Sequence, residues 1–160
     1  MSAPPAASPR TRPLVVVAED GPDARMMLGV MLEFRGFDVV LTVDGRDALE
    51  AVLVHRPDAV VSDLDMPHLD GLGLCRAVRA MAAGVSLPVI LWSSARADDP
   101  RLLQAIALGG VEWLSKSATI TGIERALRQT LRLLPTRPGE GPRAVGPAGA
   151  PRARQRRPAG

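Results

Sequence analysis

Apolar residues fall along this chain in two alternating periods. Short unbroken runs of β-branched and aliphatic residues are each followed by a stretch in which apolar positions return every three or four residues. The first run, Leu14–Ala18, reads as a strand buried on both faces and closes in the acidic loop Glu19-Asp20-Gly21. Pro22-Asp23 opens a helix whose apolar face is Ala24, Met27, Leu28, Met31 and Leu32, and Gly36 stops it. Residues 37–42 form a second strand, after which Asp44-Gly45 leads into a helix with Ala48, Leu49 and Val52 on one side. Pro57-Asp58 breaks the chain before a third strand, Ala59–Ser62, which delivers Asp63. Leu74, Cys75, Val78 and Ala82 mark the inner face of a third helix, ended by Gly84. A fourth strand over residues 87–92 runs into Ser93-Ser94-Ala95, a helix over 98–108 stops at Gly109-Gly110, and residues 111–114 form a fifth strand that ends near Lys116. Ile123, Leu127, Leu131 and Leu134 are the face of a last helix.

Strands too apolar to face water, alternating with helices, predict a parallel sheet covered on both sides and joined by right-handed crossovers. In that architecture the C-terminal ends of the strands share one edge. Glu19, Asp20, Asp63, Ser93 and Lys116 follow strands one, three, four and five, so they are expected to meet there, near the topological switch point. The centre of the arrangement is residues 60–71, V-V-S-D-L-D-M-P-H-L-D-G. An apolar run carries Asp63 to its end, Met66-Pro67 delays the next helix, and Asp70-Gly71 turns the chain into it.

Composition narrows the setting. With 160 residues, 46% of them hydrophobic, the chain has room for one ordinary domain with a full core and a tail. Cys75 is the only cysteine and makes no internal disulfide, and no run approaches the roughly 18 apolar residues of a membrane span, so a soluble, reducing, cytoplasmic setting without membrane insertion is expected. Residues 1–13 lack the apolar core of a secretory signal and read as a disordered leader. The net charge of +3 is unevenly spread: residues 13–134 carry 12 basic and 16 acidic side chains, whereas residues 135–160 carry six Arg against Glu140. That Pro/Gly/Ala/Arg-rich tail, with Arg152, Arg154, Arg156 and Arg157 clustered, cannot bury a core and reads as disordered, with at most weak, salt-sensitive attraction to nucleic acid.

Glu19-Asp20 after strand one, D-x-x-M-P-x-x-D-G from Asp63 to Gly71, Pro88 with Ser93 five positions on, and Trp113-x-x-Lys116 together resemble the receiver domain of bacterial two-component response regulators. The resemblance covers residues 14–134. It implies a flavodoxin-like (βα)5 fold with strand order 2-1-3-4-5, and a stand-alone, chemotaxis-regulator-like signalling domain rather than an enzyme. It implies that Asp63 is the phosphoacceptor, loaded from the phosphohistidine of a sensor histidine kinase. Asp20 and Asp63 would ligate magnesium directly, Glu19 through metal-bound water, and Asp65 through its main-chain carbonyl. Three crowded carboxylates call for such a cation, and magnesium prefers oxygen ligands. Ser93 and Lys116 would hold the phosphoryl oxygens, with Trp113 as a switch that remodels the face of helix four, strand five and helix five for a downstream protein. Asp65 and Ala95 occupy positions that tune how long the phosphoryl group lasts.

The resemblance has one departure, since the family's Pro after the Lys is replaced by Ser117, for which a cis bond would cost about 3–4 kcal/mol. Other residues have plain readings: Asp70 caps a helix, Cys75 packs in helix three, and His55 and His68 lack partners at metal-ligand spacing. Lys116 is the only Lys beside 19 Arg, and a compact ammonium is not interchangeable with a guanidinium. No DNA-binding output domain is recognisable after Leu134, so signalling by protein contact is expected. Two alternatives stand beside this: a phosphorelay intermediate that donates to a histidine phosphotransfer protein, and a haloacid-dehalogenase-like phosphatase using Asp63 and Asp65 as a D-x-D pair.

Overall fold

The structure, a computed structural model, describes residues 10–81, 84 and 86–133. The leader before residue 10, Ala82, and the tail from Leu134 onward lie outside the described residues. Strands β1 (Leu14–Ala18), β2 (Asp38–Thr42), β3 (Ala59–Ser62), β4 (Val89–Ser93) and β5 (Val111–Ser115) alternate with helices α1 (Pro22–Phe34), α2 (Gly45–His55), α3 (Gly71–Ala80), α4 (Pro100–Ala107) and α5 (Ile120–Leu133). All four strand pairs are parallel, in the order β2-β1-β3-β4-β5. Every element anticipated from the hydrophobic periods is present. The boundaries move by one to three residues at β2, β4, β5, the end of α3 and both ends of α4, and Asp99 caps α4 by accepting from the Arg101 amide.

Alternation along the strands divides the core into two layers. Val16, Ala18, Val60, Val89 and Leu91 face α2, α3 and α4, packing on Ala48, Val52, Leu74, Cys75, Val78 and Leu102. Val15, Val17, Val61, Ile90 and Trp92 face α1 and α5, against Leu28, Leu32, Ile123 and Leu127. Only the three central strands are buried throughout; β2 and β5 form the sheet edges and are half exposed, with Glu112 pointing to solvent.

Two details depart from the sequence reading. Met27 and Met31, expected on the inner face of α1, are 50% and 37% exposed. Leu28 and Leu32 of the expected face, joined by Gly29, fill the core side, and Gly29 packs so close to β2 that an added Cβ would stand 2.9 Å from the Leu41 side chain. At the other end of the sheet, Arg10 and Arg12, which the sequence reading places in the leader, are tied to the domain. Arg10 donates to the His55 and Arg56 carbonyls, and Arg12 to those of Glu33 and Phe37. Arg79 does similar work at the starts of β4 and β5, donating to the carbonyls of Gly84, Leu87, Gly109 and Gly110.

Helix α1 therefore offers a stability test in two residues. Leu32 is fully buried and Phe34 is 89% exposed. Leu32→Ala is expected to lower the unfolding free energy by about 2–5 kcal/mol, and Phe34→Ser to change it by less than about 0.5 kcal/mol. Urea denaturation of both variants checks this, and equal losses would show that α1 is packed differently.

Candidate functional site

Parallel register carries the acidic loop and the Asp63 loop to the same edge. Ala18 pairs with Ser62 at the ends of β1 and β3, and the Asp63 amide continues the ladder by donating to the Ala18 carbonyl at 2.9 Å. The backbone then has to turn sharply beneath α3. A Cβ on Gly71 would lie 2.5 Å from the Asp63 carbonyl oxygen and 2.8 Å from the Leu64 Cα, so only glycine lets α3 start this close to the acid. The turn is locked by Gly71 N–H donating to the Leu64 carbonyl and by Asp70, whose carboxylate accepts from Gly73 N–H as the cap of α3.

Within this frame Asp63 is nearly buried, at 7% exposure. Its Oδ1 accepts the Leu64 amide at 2.7 Å and, more weakly, the Asp65 amide at 3.3 Å. Its Oδ2 meets the Lys116 ammonium at 2.9 Å, and the same ammonium meets Glu19 Oε2 at 2.9 Å. Carboxylate oxygens of Glu19, Asp20 and Asp63 all lie within 4.8 Å of one another. Three hard oxygen donors at that spacing, one exposed and two buried, fit a divalent cation such as magnesium, which binds through few carboxylates and keeps its remaining positions for water.

Electrostatics at this cluster follow from burial and pairing. Burial pushes the Glu19 carboxyl above its ordinary value of 4.5, against the opposing bonds from Lys116 and Gly21 N–H. Burial alone would lower the Lys116 pKa, but the bonds with Asp63 and Glu19 outweigh it and raise it instead. Lys116 also lies over the Trp92 ring, 5.1 Å from its centroid. Cys75 is remote from all of this in function: burial pushes its thiol up to about 12, so it is an inert core residue.

The remaining sequence candidates surround the cluster. Ser93 is fully buried at the end of β4; its Oγ accepts the Ala95 amide at 3.1 Å and its carbonyl accepts the Lys116 amide at 3.0 Å. Trp113 is half buried against the α3–α4 layer, and its indole N–H is buried without a hydrogen-bond partner, as is that of Trp92. The Lys116–Ser117 bond is trans, no cis peptide occurring among the described residues. Asp65 does not face Asp63 with its carboxylate, which is turned outward to Arg101 at 2.7 Å. A D-x-D acid therefore has no support in the geometry.

Three contributors escaped the sequence reading. Arg25, in the first turn of α1, donates to the main-chain carbonyls of Glu19 and Asp20 and so fixes the acidic loop. His68, at φ 66°, places Nδ1 2.8 Å from Asp44 Oδ2 and joins the Asp63 loop to the cap of α2. The Asp47 amide, with His68 second, holds the Asp44 carboxyl below its usual range. Arg101 ties α4 to Asp65 and Asp99. Arginines are so common here that nothing in the sequence marks these two; only the fold shows which carbonyls and carboxylates they reach.

A family model for the response regulator receiver domain matches residues 15–128, and the chain belongs to that family. Among curated proteins it is 35% identical over 128 residues to "Response regulator MprA" of Mycobacterium sp. (strain KMS), covering 80% of this chain and 54% of that protein. It is 34% identical over 122 residues to "Transcriptional regulatory protein PrrA" of Mycobacterium tuberculosis, covering 76% of this chain and 51% of that one. The chain thus spans about half the length of the curated relatives it matches. Among solved structures it resembles the chemotaxis protein CheY4 of Vibrio cholerae, with TM-score 0.68 and 26% identity over 74% of this chain and 98% of that one. It also resembles the receiver domain of the sensor histidine kinase PA1611 from Pseudomonas aeruginosa, whose active-site cleft coordinates a magnesium ion, with TM-score 0.69 and 26% identity over 75% and 98% of the two chains. Among the described residues no helix is long and apolar enough to cross a membrane.

The raised Glu19 pKa has a definite sign. A folded carboxyl that binds its proton more tightly than the unfolded chain contributes stability that is complete below the ordinary value of 4.5 and is lost as pH rises through the folded pKa. In magnesium-free buffer, Glu19→Gln should therefore gain on the parent in urea stability as pH rises above about 4.5. Parallel pH profiles for the two proteins would show that Glu19 carries no such shift.

Proposed function

We propose that the chain is a phosphorylatable signalling switch in which Asp63 accepts a phosphoryl group from the phosphohistidine of a sensor kinase. The observation that carries this is the placement of Asp63: one carboxylate oxygen is held by backbone amides and the other is presented to the Lys116 ammonium beside Glu19, at the lip of a buried strand. In the transfer an Asp63 oxygen bonds to phosphorus, the phosphorus–nitrogen bond breaks, and the released imidazole takes up a proton. No separate general base is needed, since a carboxylate at neutral pH has no proton to lose. Glu19, Asp20, Asp63 and the Asp65 carbonyl would hold magnesium, which when bound supplies positive charge to the phosphoryl oxygens. Lys116 adds a second cation and Ser93 a hydroxyl donor on the other side.

Output follows from the same contacts. Drawing Ser93 Oγ from the Ala95 amide toward a phosphoryl oxygen would loosen the β4–α4 loop and free space beside Trp113. Leu103 and Ile106 stand exposed on α4, with Leu108 just past its end, which supports a protein partner on the α4–β5–α5 face. We read the role as signalling by protein contact in the cytoplasm, either directly or as a relay that passes the group to a histidine phosphotransfer protein.

The test is intact-protein mass after incubation with magnesium and acetyl phosphate. The parent should gain one phosphoryl group and Asp63→Asn none. A parent that gains nothing with or without magnesium, or a variant that gains as much as the parent, rejects the acceptor assignment.

A further inference from the structure

Arg101 stands in the first turn of α4 and reaches back over the Asp63 loop. Its guanidinium is first fixed at home: Nη2 is 3.0 Å from Asp99 Oδ2 and Nε is 3.3 Å from Asp99 Oδ1, a forked pairing with the residue that caps the helix. Nη1 then lies 2.7 Å from Asp65 Oδ1 and 4.0 Å from Asp70 Oδ2. Bonds to Asp99 and then Asp65 raise the Arg101 pKa further, so the guanidinium stays charged at every working pH.

The consequence lies at Asp65, two residues past the acceptor. Its backbone N–H donates to Asp63 Oδ1 at 3.3 Å, while its side chain is drawn the opposite way, out to α4. A free carboxylate beside an aspartyl phosphate can accept a hydrogen bond from a water and aim its oxygen at phosphorus. A carboxylate already bonded to a fixed guanidinium does so less well.

We propose that Arg101 is a positioning residue that withholds the Asp65 carboxylate from attacking water and so prolongs the phosphorylated state. The inference rests on Asp63 being the acceptor. In the step it slows, the water oxygen bonds to phosphorus and the phosphorus–oxygen bond to Asp63 breaks. The Asp63 carboxylate is regenerated, and both water protons leave on dihydrogen phosphate. Asp65 takes no net proton; its part is to orient the water. Asp99 makes the device specific to this geometry, because an unrestrained surface arginine would lose most of the effect to side-chain freedom.

The experiment follows loss of the phosphoryl group from the loaded full chain after acetyl phosphate is removed, by intact mass with time. It compares the parent, Arg101→Gln, Arg101→Lys, Asp65→Asn and the double variant Arg101→Gln/Asp65→Asn. Arg101→Gln should lose the group about two- to fivefold faster, the range expected for release of an exposed but preorganised ion pair. Arg101→Lys, which cannot fork onto Asp99 and reach Asp65 together, should fall between the parent and Arg101→Gln, and Asp65→Asn in the Arg101→Gln background should remove the acceleration. Arg101→Gln should make no further difference to the rate in the Asp65→Asn background, because no carboxylate is left there to release. The latch is overturned if Arg101→Gln is unchanged or slower, or if it speeds loss as much in the Asp65→Asn background as in the parent. Arg101→Lys decides the matter even if Arg101→Gln fails to fold, since a rate no faster than the parent's overturns the latch. Uptake is read first: a parent that never loads rejects the acceptor assignment and this inference with it, whereas loading with equal decay in all variants rejects the latch alone.

Discussion

The ammonium of Lys116 between the carboxylates of Glu19 and Asp63 is the contact on which the site depends. Parallel strands force acids from β1 and β3 to one edge, and there the nearly buried Glu19 and Asp63 side chains would repel each other without a cation. Removing one partner from such a buried ionic group typically costs about 3–5 kcal/mol, so the edge keeps its shape only while positive charge is present. Lys116 supplies it from β5, two strands beyond β3, and thereby links both halves of the sheet. The same need for positive charge suits the cluster to a divalent ion, with which the tethered ammonium would share the neutralisation.

What the sequence makes legible is whatever repeats or whatever ends a repeat. Buried strands and amphipathic helices leave periodic traces, and Glu19, Asp20, Asp63, Ser93 and Lys116 stand where those traces stop, so the site could be assembled from strand ends alone. The departures arise where a periodic face is broader than the surface it docks on. Met27 and Met31 share the helical period of Leu28 and Leu32 yet stand largely outside, and a helical wheel does not show which part of such a face meets the sheet. Long side chains are the other blind spot. Arg10, Arg12, Arg25, Arg79 and Arg101 each act on carbonyls or carboxylates of another element, and guanidinium reach is set by tertiary geometry rather than by position in a pattern.

These arginines also show how the molecule divides rigidity. At the N-terminal edge of the sheet, Arg10, Arg12 and Arg79 bond mainly to backbone carbonyls, which cannot change charge, and the loops there are simply fastened. At the C-terminal edge the basic side chains Lys116 and Arg101 bond to carboxylates, and His68 meets Asp44. Those contacts respond to added charge. A doubly negative group placed on Asp63 would compete directly for Lys116 and would act, through the Asp65 backbone, on the loop that Arg101 grips.

Coupling between Asp63 and the α4 surface would need no long chain of contacts. Arg101 is one residue from Leu102, which is fully buried, and two from Leu103, which is exposed beside Ile106 on the same helix. Were a phosphoryl group on Asp63 to shift the Asp65 loop, Arg101 would pass that shift to the first turn of α4, where Leu102 is anchored in the core. A second route to that helix would run from Ser93, through the Ala95 amide in the β4–α4 loop. Added charge at Asp63 would thus reach α4 from both of its neighbours in the fold, the β3–α3 loop and the β4–α4 loop.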